Sequence, residues 1–173
     1  QAMRTVPDVN ATYLDTFIRQ YKQVDINVVM SGPSTTVAPV LRDVTGTGIS
    51  SIADTLASYE QRIASQEAIS EAELAQGTFS VHNLGMFGLK SAAPVLLSPQ
   101  AAALAIGSII DTVVPTKNSS GSTENADSKG WEVAPIVVGT LVCDHRVIDG
   151  AVGAQWLAAW KNLVENPVNM LMQ

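Results

Sequence analysis

The feature that most constrains the fold is an abrupt change of period near the end of the chain. "WEVAPIVVGTLVC", from Trp131, is apolar and reads as one long strand. Asp144, His145 and Arg146 interrupt it, and Asp149-Gly150 then opens "GAVGAQWLAAWKNLVEN", an amphipathic helix that stops before Pro167. Extended and helical segments mix in the same way upstream, so the class is α/β or α+β.

Residues 1–5 read as the tail of a helix that ends before Pro7. "FIRQYKQVDINVVM" turns strand-like, with Val24, Ile26 and Val28 alternating with Asp25 and Asn27. "SGPSTT" is a loop and "VAPVLRDV" a second extended segment, in which Pro39 argues for an edge or a bend. The clearest helix spans about 50–67: Ile52, Leu56, Tyr59 and Ile63 share one face, and Ser50 is its expected N-cap. Ser70 and Glu73 have capping-box spacing for a short helix ending before Gly77. "TFSVHNL" is strand-like and runs into the two-glycine turn "GMFG". "AAALAIGSIIDTVV" fits a strand buried on both faces, although its period alone also allows a helix, and residues 117–130, almost free of apolar side chains, fit a mobile surface loop.

The 173 residues suit one domain, taken as 1–173. With 46% hydrophobic and only 15% charged residues, the chain is apolar enough to suggest an oligomer. A net charge of −6 lacks the basic footprint of a nucleic-acid binder. The most apolar stretch, "APVLLSPQAAALAIGSII", is broken by Ser98, Pro99, Gln100 and Gly107, which argues against a membrane span. One cysteine, Cys143, rules out an intrachain disulfide framework. No secretory or transit signal is visible, and "QAMRTVPDVN" reads as the start of a fragment or processed product.

His145 is one of two histidines. On a continuing strand it would neighbour Cys143, but a lone cysteine in an apolar run is usually core. Two histidines and one cysteine without ligand spacing make a poor metal set, so no metal is expected. Two readings remain open for His145: a general base acting near neutral pH, and a structural residue at the helix entrance. Asp149 has three: a partner of Arg146, the helix cap, or a group orienting the imidazole. His82 precedes "NLGMFG", whose glycines permit close backbone approach to a ligand, though an ordinary turn reads the same way.

"LVCDHRVIDGAVGAQWL", "TFSVHNLGMFGLK" and "SPQAAALAIG", in that order, resemble the C-terminal acyltransferase domain of dihydrolipoamide acyltransferases, the core components of 2-oxo acid dehydrogenase complexes. The resemblance extends to "VPDVNATYLDTFIRQYKQVDINVVM", and the wording is most similar to mitochondrial pyruvate-complex members. It implies a chloramphenicol-acetyltransferase-like mixed sheet flanked by helices, trimers assembled into a hollow core, and a mitochondrial matrix location. It also implies acyl transfer between a dihydrolipoyl thiol and coenzyme A. By motif match His145 is the base that takes the thiol proton, acting across a subunit boundary, while Asp149 and Arg146 order the site.

Four departures accompany the match. The serine that donates to the oxyanion in "FTISNLG"-type runs is replaced by His82. Thr35 and Thr36 stand where Gly-Leu is expected, and Val142 replaces a serine. The first residue aligns roughly a quarter of the way into the usual domain. Two functions follow from the resemblance. One is a core-forming, trimer-building subunit with weak or absent catalysis, like the E3-binding protein (protein X), which anchors dihydrolipoamide dehydrogenase through a peripheral domain not present in this chain. The alternative is an active dihydrolipoamide acetyltransferase.

Overall fold

The computed structural model describes residues 1–32, 36–115 and 131–170. The loop expected at 117–130 lies outside the described residues, as does Thr35. The chain opens with a short helix α1 (Ala2–Thr5), then a 3-10 turn (Pro7–Val9) and a hairpin of β1 (Ala11–Leu14) and β2 (Phe17–Gln20). Next come β3 (Ile26–Ser31), the short β4 (Thr36–Val37) and β5 (Val40–Leu41), and helix α2 (Ile49–Ala64). β6 (Phe79–Asn83), β7 (Ala102–Ile106), β8 (Ile110–Pro115), β9 (Trp131–Ile136), β10 (Gly139–Cys143) and helix α3 (Gly150–Glu165) complete the described fold.

The central sheet runs β10-β7-β6-β3-β4, with β5 also on β3. β3, β6 and β7 are mutually parallel neighbours, while β10, β4 and β5 join antiparallel. This is the mixed sheet with flanking helices that the sequence leads one to expect. Its core lies on one face. Ala102 and Leu104 of β7 and Phe79 of β6 meet Trp156 of α3, Met3 of α1, Val9 and Ile148. The Phe79 and Trp156 rings lie 5.4 Å apart, tilted by 38°, and the Trp156 indole N–H points at Met3 Sδ, 3.3 Å away. Strand alternation sends Ser80, His82, Ala103 and Ala105 to the opposite face.

Several expectations are corrected. Neither long apolar run is a single strand: each breaks into a piece in the central sheet (β7, β10) and a piece in a separate two-stranded ribbon (β8, β9). The breaks face each other, with Gly107 N–H donating to Val138 O at 2.9 Å. The cause is a crossing chain. Lys90 O lies against Gly107 where a Cβ would have to sit, and Ser108 N–H and Oγ both bond to Leu89 O. β8 is consequently exposed rather than buried on both faces.

Helix α2 starts one residue earlier than expected. Gly48, not Ser50, is its N-cap, because a turn closed on Asp43 delivers the chain to the helix with Gly48 O already accepting from Ile52 N–H. The helix ends at Ala64, where Gln66 turns left-handed (φ 57°). The Ser70–Glu73 contact forms, yet residues 71–75 make only turns. Helix propagation fails because Glu73 O accepts from Val40 N–H and Gly77 N–H goes to Asn27 Oδ1. The Glu73 carboxylate is further held by Arg62 and Ser70, which lower its pKa to about 2.

The alternation around β3 is also reversed in one respect. Asn27 is buried, at 4% exposure, with Gly77 N–H and Gln100 Nε2 donating to its oxygen and its own amide donating to Ala38 O and Ala75 O. Pro39 does mark a bend, separating β4 from β5 along the same neighbour.

Candidate functional site

β10 ends at Cys143, and residues 144–147 turn sharply away. Asp144 N–H donates to Ala101 O at 2.8 Å, and Asp144 O accepts from Val147 N–H and Ile148 N–H at 3.0 and 2.9 Å. The strand does not continue, so Cys143 and His145 do not share a strand face. Cys143 packs beside Leu141 under Gly153 of α3, and burial pushes its thiol pKa up. Such a thiol is a core group and not an activated nucleophile.

The turn is organised by its acidic and basic members. Arg146 donates to Asp144 three ways: from its backbone N–H at 3.0 Å, from Nε at 3.0 Å and from Nη2 at 2.7 Å. These bonds hold the Asp144 carboxyl below its ordinary range. The other side of the guanidinium lies on the Tyr13 ring, with Cζ 4.2 Å from the ring centroid. His145 sits between these two pinned residues, exposed. Of the three roles open to Asp149, the structure takes one: its Oδ1 caps α3 by accepting from Val152 N–H at 2.8 Å. Arg146 pairs with Asp144 instead.

His82 lies elsewhere, in the middle of the sheet. Its Cα pairs with Val29 on one side and Ala105 on the other, and Ala105 pairs in turn with Thr140 of β10. The adjacent row is Asn27–Ser80–Ala103–Val142, so the Val142 noted in the sequence shares the His82 face. His82 is half-buried, its Nε2 is sealed from solvent without a hydrogen-bond partner, and burial lowers its pKa. Burial thus favours its neutral form. Ser80 Oγ, on the same face, is likewise buried without a partner.

Within one chain the two histidines do not meet. His82 is level with Thr140, five residues before His145. At roughly 3.3 Å per residue, with two strand spacings of roughly 4.8 Å across, Cys143 at the end of β10 is already on the order of 14 Å from His82, and His145 lies past the turn that follows. Among the described residues no three His, Cys, Asp or Glu side chains gather in metal-binding geometry. Sequence reasoning missed Tyr13, which nothing in the local pattern marks, and left the Asp144–Arg146 pair unassigned, although its i,i+2 spacing around a turn was in plain view.

The chain matches the model of the 2-oxoacid dehydrogenases acyltransferase (catalytic domain) family over residues 1–172. It belongs to that family. It is 40% identical over 171 residues to the dihydrolipoyllysine-residue acetyltransferase component of the mitochondrial pyruvate dehydrogenase complex of Schizosaccharomyces pombe. The counterpart from Dictyostelium discoideum is also 40% identical over 171 residues. Each alignment takes in 99% of this chain but 34% and 26% of the relative, so this acyltransferase domain spans about a third of their length or less.

Among solved structures, a probable dihydrolipoamide acetyltransferase from Listeria monocytogenes superposes with a TM-score of 0.83 at 25% identity, covering 95% of this chain and 65% of that one. An Azotobacter vinelandii dihydrolipoamide acetyltransferase, studied for the catalytic roles of a serine, a histidine and an asparagine, gives a TM-score of 0.83 at 22% identity over 98% of this chain and 66% of that one. The second likeness supports the fold of the acyltransferase domain and nothing further.

Proposed function

We propose that this chain is a core-forming domain of a pyruvate dehydrogenase-type complex that builds homotrimers and contributes little acetyl transfer of its own, in the manner of the E3-binding protein. The observation that carries this reading is His82, with its buried, unpartnered Nε2 at the position expected to stabilise the oxyanion.

The reaction itself needs two groups. A base takes the proton of a dihydrolipoyl thiol, and the thiolate attacks the thioester carbonyl of acetyl-CoA. The tetrahedral oxyanion that results collapses, expelling the CoA thiolate, which recovers the proton. Coenzyme A and the lipoyl group are substrates here. His145 is the proposed base: its imidazole is exposed and placed by the Asp144–Arg146 pair. Arg146 orders the turn through that pair, and Asp149 by fixing the start of α3 four residues on.

The oxyanion then needs a donor. A serine hydroxyl reaches out from a strand on a short rotatable bond. The His82 ring is larger, and its Nε2 is closed off from solvent, a poor placement for donating to a substrate oxyanion. Losing one such donor costs about 100- to 1000-fold in rate. Because His82 sits on the central strand and His145 in the turn beyond the edge strand β10, a shared site requires His145 of one copy to meet His82 of another. That requirement calls for at least two copies, and a closed trimer meets it.

Other core subunits are the expected neighbours, with dihydrolipoamide dehydrogenase reached through a peripheral domain. The mitochondrial matrix is the expected location, since the similar relatives from fission yeast and Dictyostelium are named as mitochondrial. A second reading, an active acetyltransferase, is favoured by the intact Asp144–His145–Arg146 turn.

Two measurements test the proposal. Sedimentation velocity at micromolar concentration should give a trimer or larger, and a stable monomer overturns the assembly. Acetyl transfer from acetyl-CoA to dihydrolipoamide should be slow, and turnover equal to that of an ordinary family member overturns the weak-catalyst reading in favour of the second.

A further inference from the structure

His145 makes no hydrogen bond or ion pair to any described residue of its own chain, so the backbone of the turn carries much of the placing of its imidazole. That backbone is pinned on both flanks. Asp144 is tied to Ala101 O and holds Arg146 through both carboxylate oxygens. The Arg146 side chain is 65% exposed, and an exposed guanidinium with a single carboxylate partner ordinarily keeps much of its freedom. Here its second face is occupied by the Tyr13 ring, 4.2 Å from Cζ to centroid.

Tyr13 is itself anchored. It lies in β1, paired with Ile18 of β2. The preceding Thr12, 1% exposed, donates its hydroxyl to Pro99 O, two residues before the Ala101 carbonyl that receives Asp144 N–H. Asn10, just ahead of β1, clamps the far end of the hairpin through Tyr21 O and Gln23 O. The β1–β2 hairpin and the histidine turn thus rest on the same short segment leading into β7.

We propose that Tyr13 is a positioning residue for His145: its ring confines the Arg146 guanidinium against Asp144 and thereby fixes the turn that presents the imidazole. This rests on His145 being the base, and it is tested by a readout independent of turnover. The 173 residues carry two histidines, so imidazole 1H–13C NMR gives one Cε1–H signal for each, assigned by His82→Ser.

In Tyr13→Ala the His145 signal should shift and broaden while the His82 signal stays in place. Tyr13→Phe, which keeps the ring, should restore the wild-type signal. Arg146→Lys, which keeps the charge but loses the planar stack, should reproduce the Tyr13→Ala spectrum and guards against a folding defect in that variant. Alongside, Tyr13→Ala should lower kcat about two- to fivefold at unchanged KM, the size expected from an exposed cation–π contact. An unchanged His145 signal in Tyr13→Ala overturns the proposal, as does a Tyr13→Phe spectrum displaced as far as that of Tyr13→Ala. If the protein shows no measurable transfer, the spectra still decide the role of Tyr13, and the missing activity bears only on His145 as base.

Discussion

The turn at His145 and the strand at His82 are built from opposite resources. The turn is local: within six residues, Asp144 takes the Arg146 guanidinium, its carbonyl closes the loop on Val147 and Ile148, and Asp149 caps α3. The strand position is fixed from a distance, by Val29 and Ala105 on neighbouring strands and by an alternation that dictates which face the side chain takes. A residue there can be exchanged without disturbing the ladder, since backbone pairing is indifferent to the side chain. The exchange leaves its cost in the side chain itself, as an imidazole nitrogen with no partner. On the proposed function, one half of a two-part site can therefore stay fully formed while the other half loses its chemistry, because no hydrogen bond or ion pair among the described residues joins them.

This contrast can be broken by experiment. The largest effect belongs to the turn: His145→Ala should lower whatever acetyl transfer the protein shows by about 100- to 10,000-fold, read in a dihydrolipoamide assay. An unaltered rate removes His145 as the base. Next is the strand. His82→Ser should raise the rate, by up to about 100-fold if the hydroxyl reaches the oxyanion. A fall in rate would mean that the imidazole is already donating and that both halves of the site keep their chemistry.

Asp149→Ala separates ordering from chemistry. It should cost about 1 kcal/mol in urea unfolding through the lost N-cap, with an unchanged m-value. The smallest effect is one of pH. Burial holds the His82 pKa below 6.5, so the unfolded state takes up its proton first as pH falls. Stability should thus decline from about pH 6.5 downward and level off once the folded form protonates. In His82→Ser that part of the decline should vanish, and a decline of equal size in the variant would trace it to other groups.

Much of this was legible in the sequence. The helix over α3, the β6 strand running into a glycine turn and the strand-to-helix break at residues 144–149 follow from period and punctuation, which act locally. The motif residues then pointed to the right family. What stayed hidden depends on chain crossings that no local pattern records. Lys90 passing over Gly107 splits the long apolar runs. Val40 capturing Glu73 O prevents a helix that the Ser70–Glu73 spacing favours. Asn27 looks like an outward polar residue until Gly77 and Gln100 arrive from fifty and seventy-three positions away. Tyr13 joins the site only because the hairpin folds against the turn.

If the strand half of the site no longer supports the turn half, the deficit lies in the chemical step. Pre-steady-state acetyl transfer by the assembled wild-type protein, at saturating acetyl-CoA and dihydrolipoamide and side by side with a family member that carries serine in place of His82, tests this most directly. Turnover of about 0.1 s⁻¹ or below is expected, about 100-fold or more under the serine-bearing enzyme. Equal rates for the two proteins would contradict it.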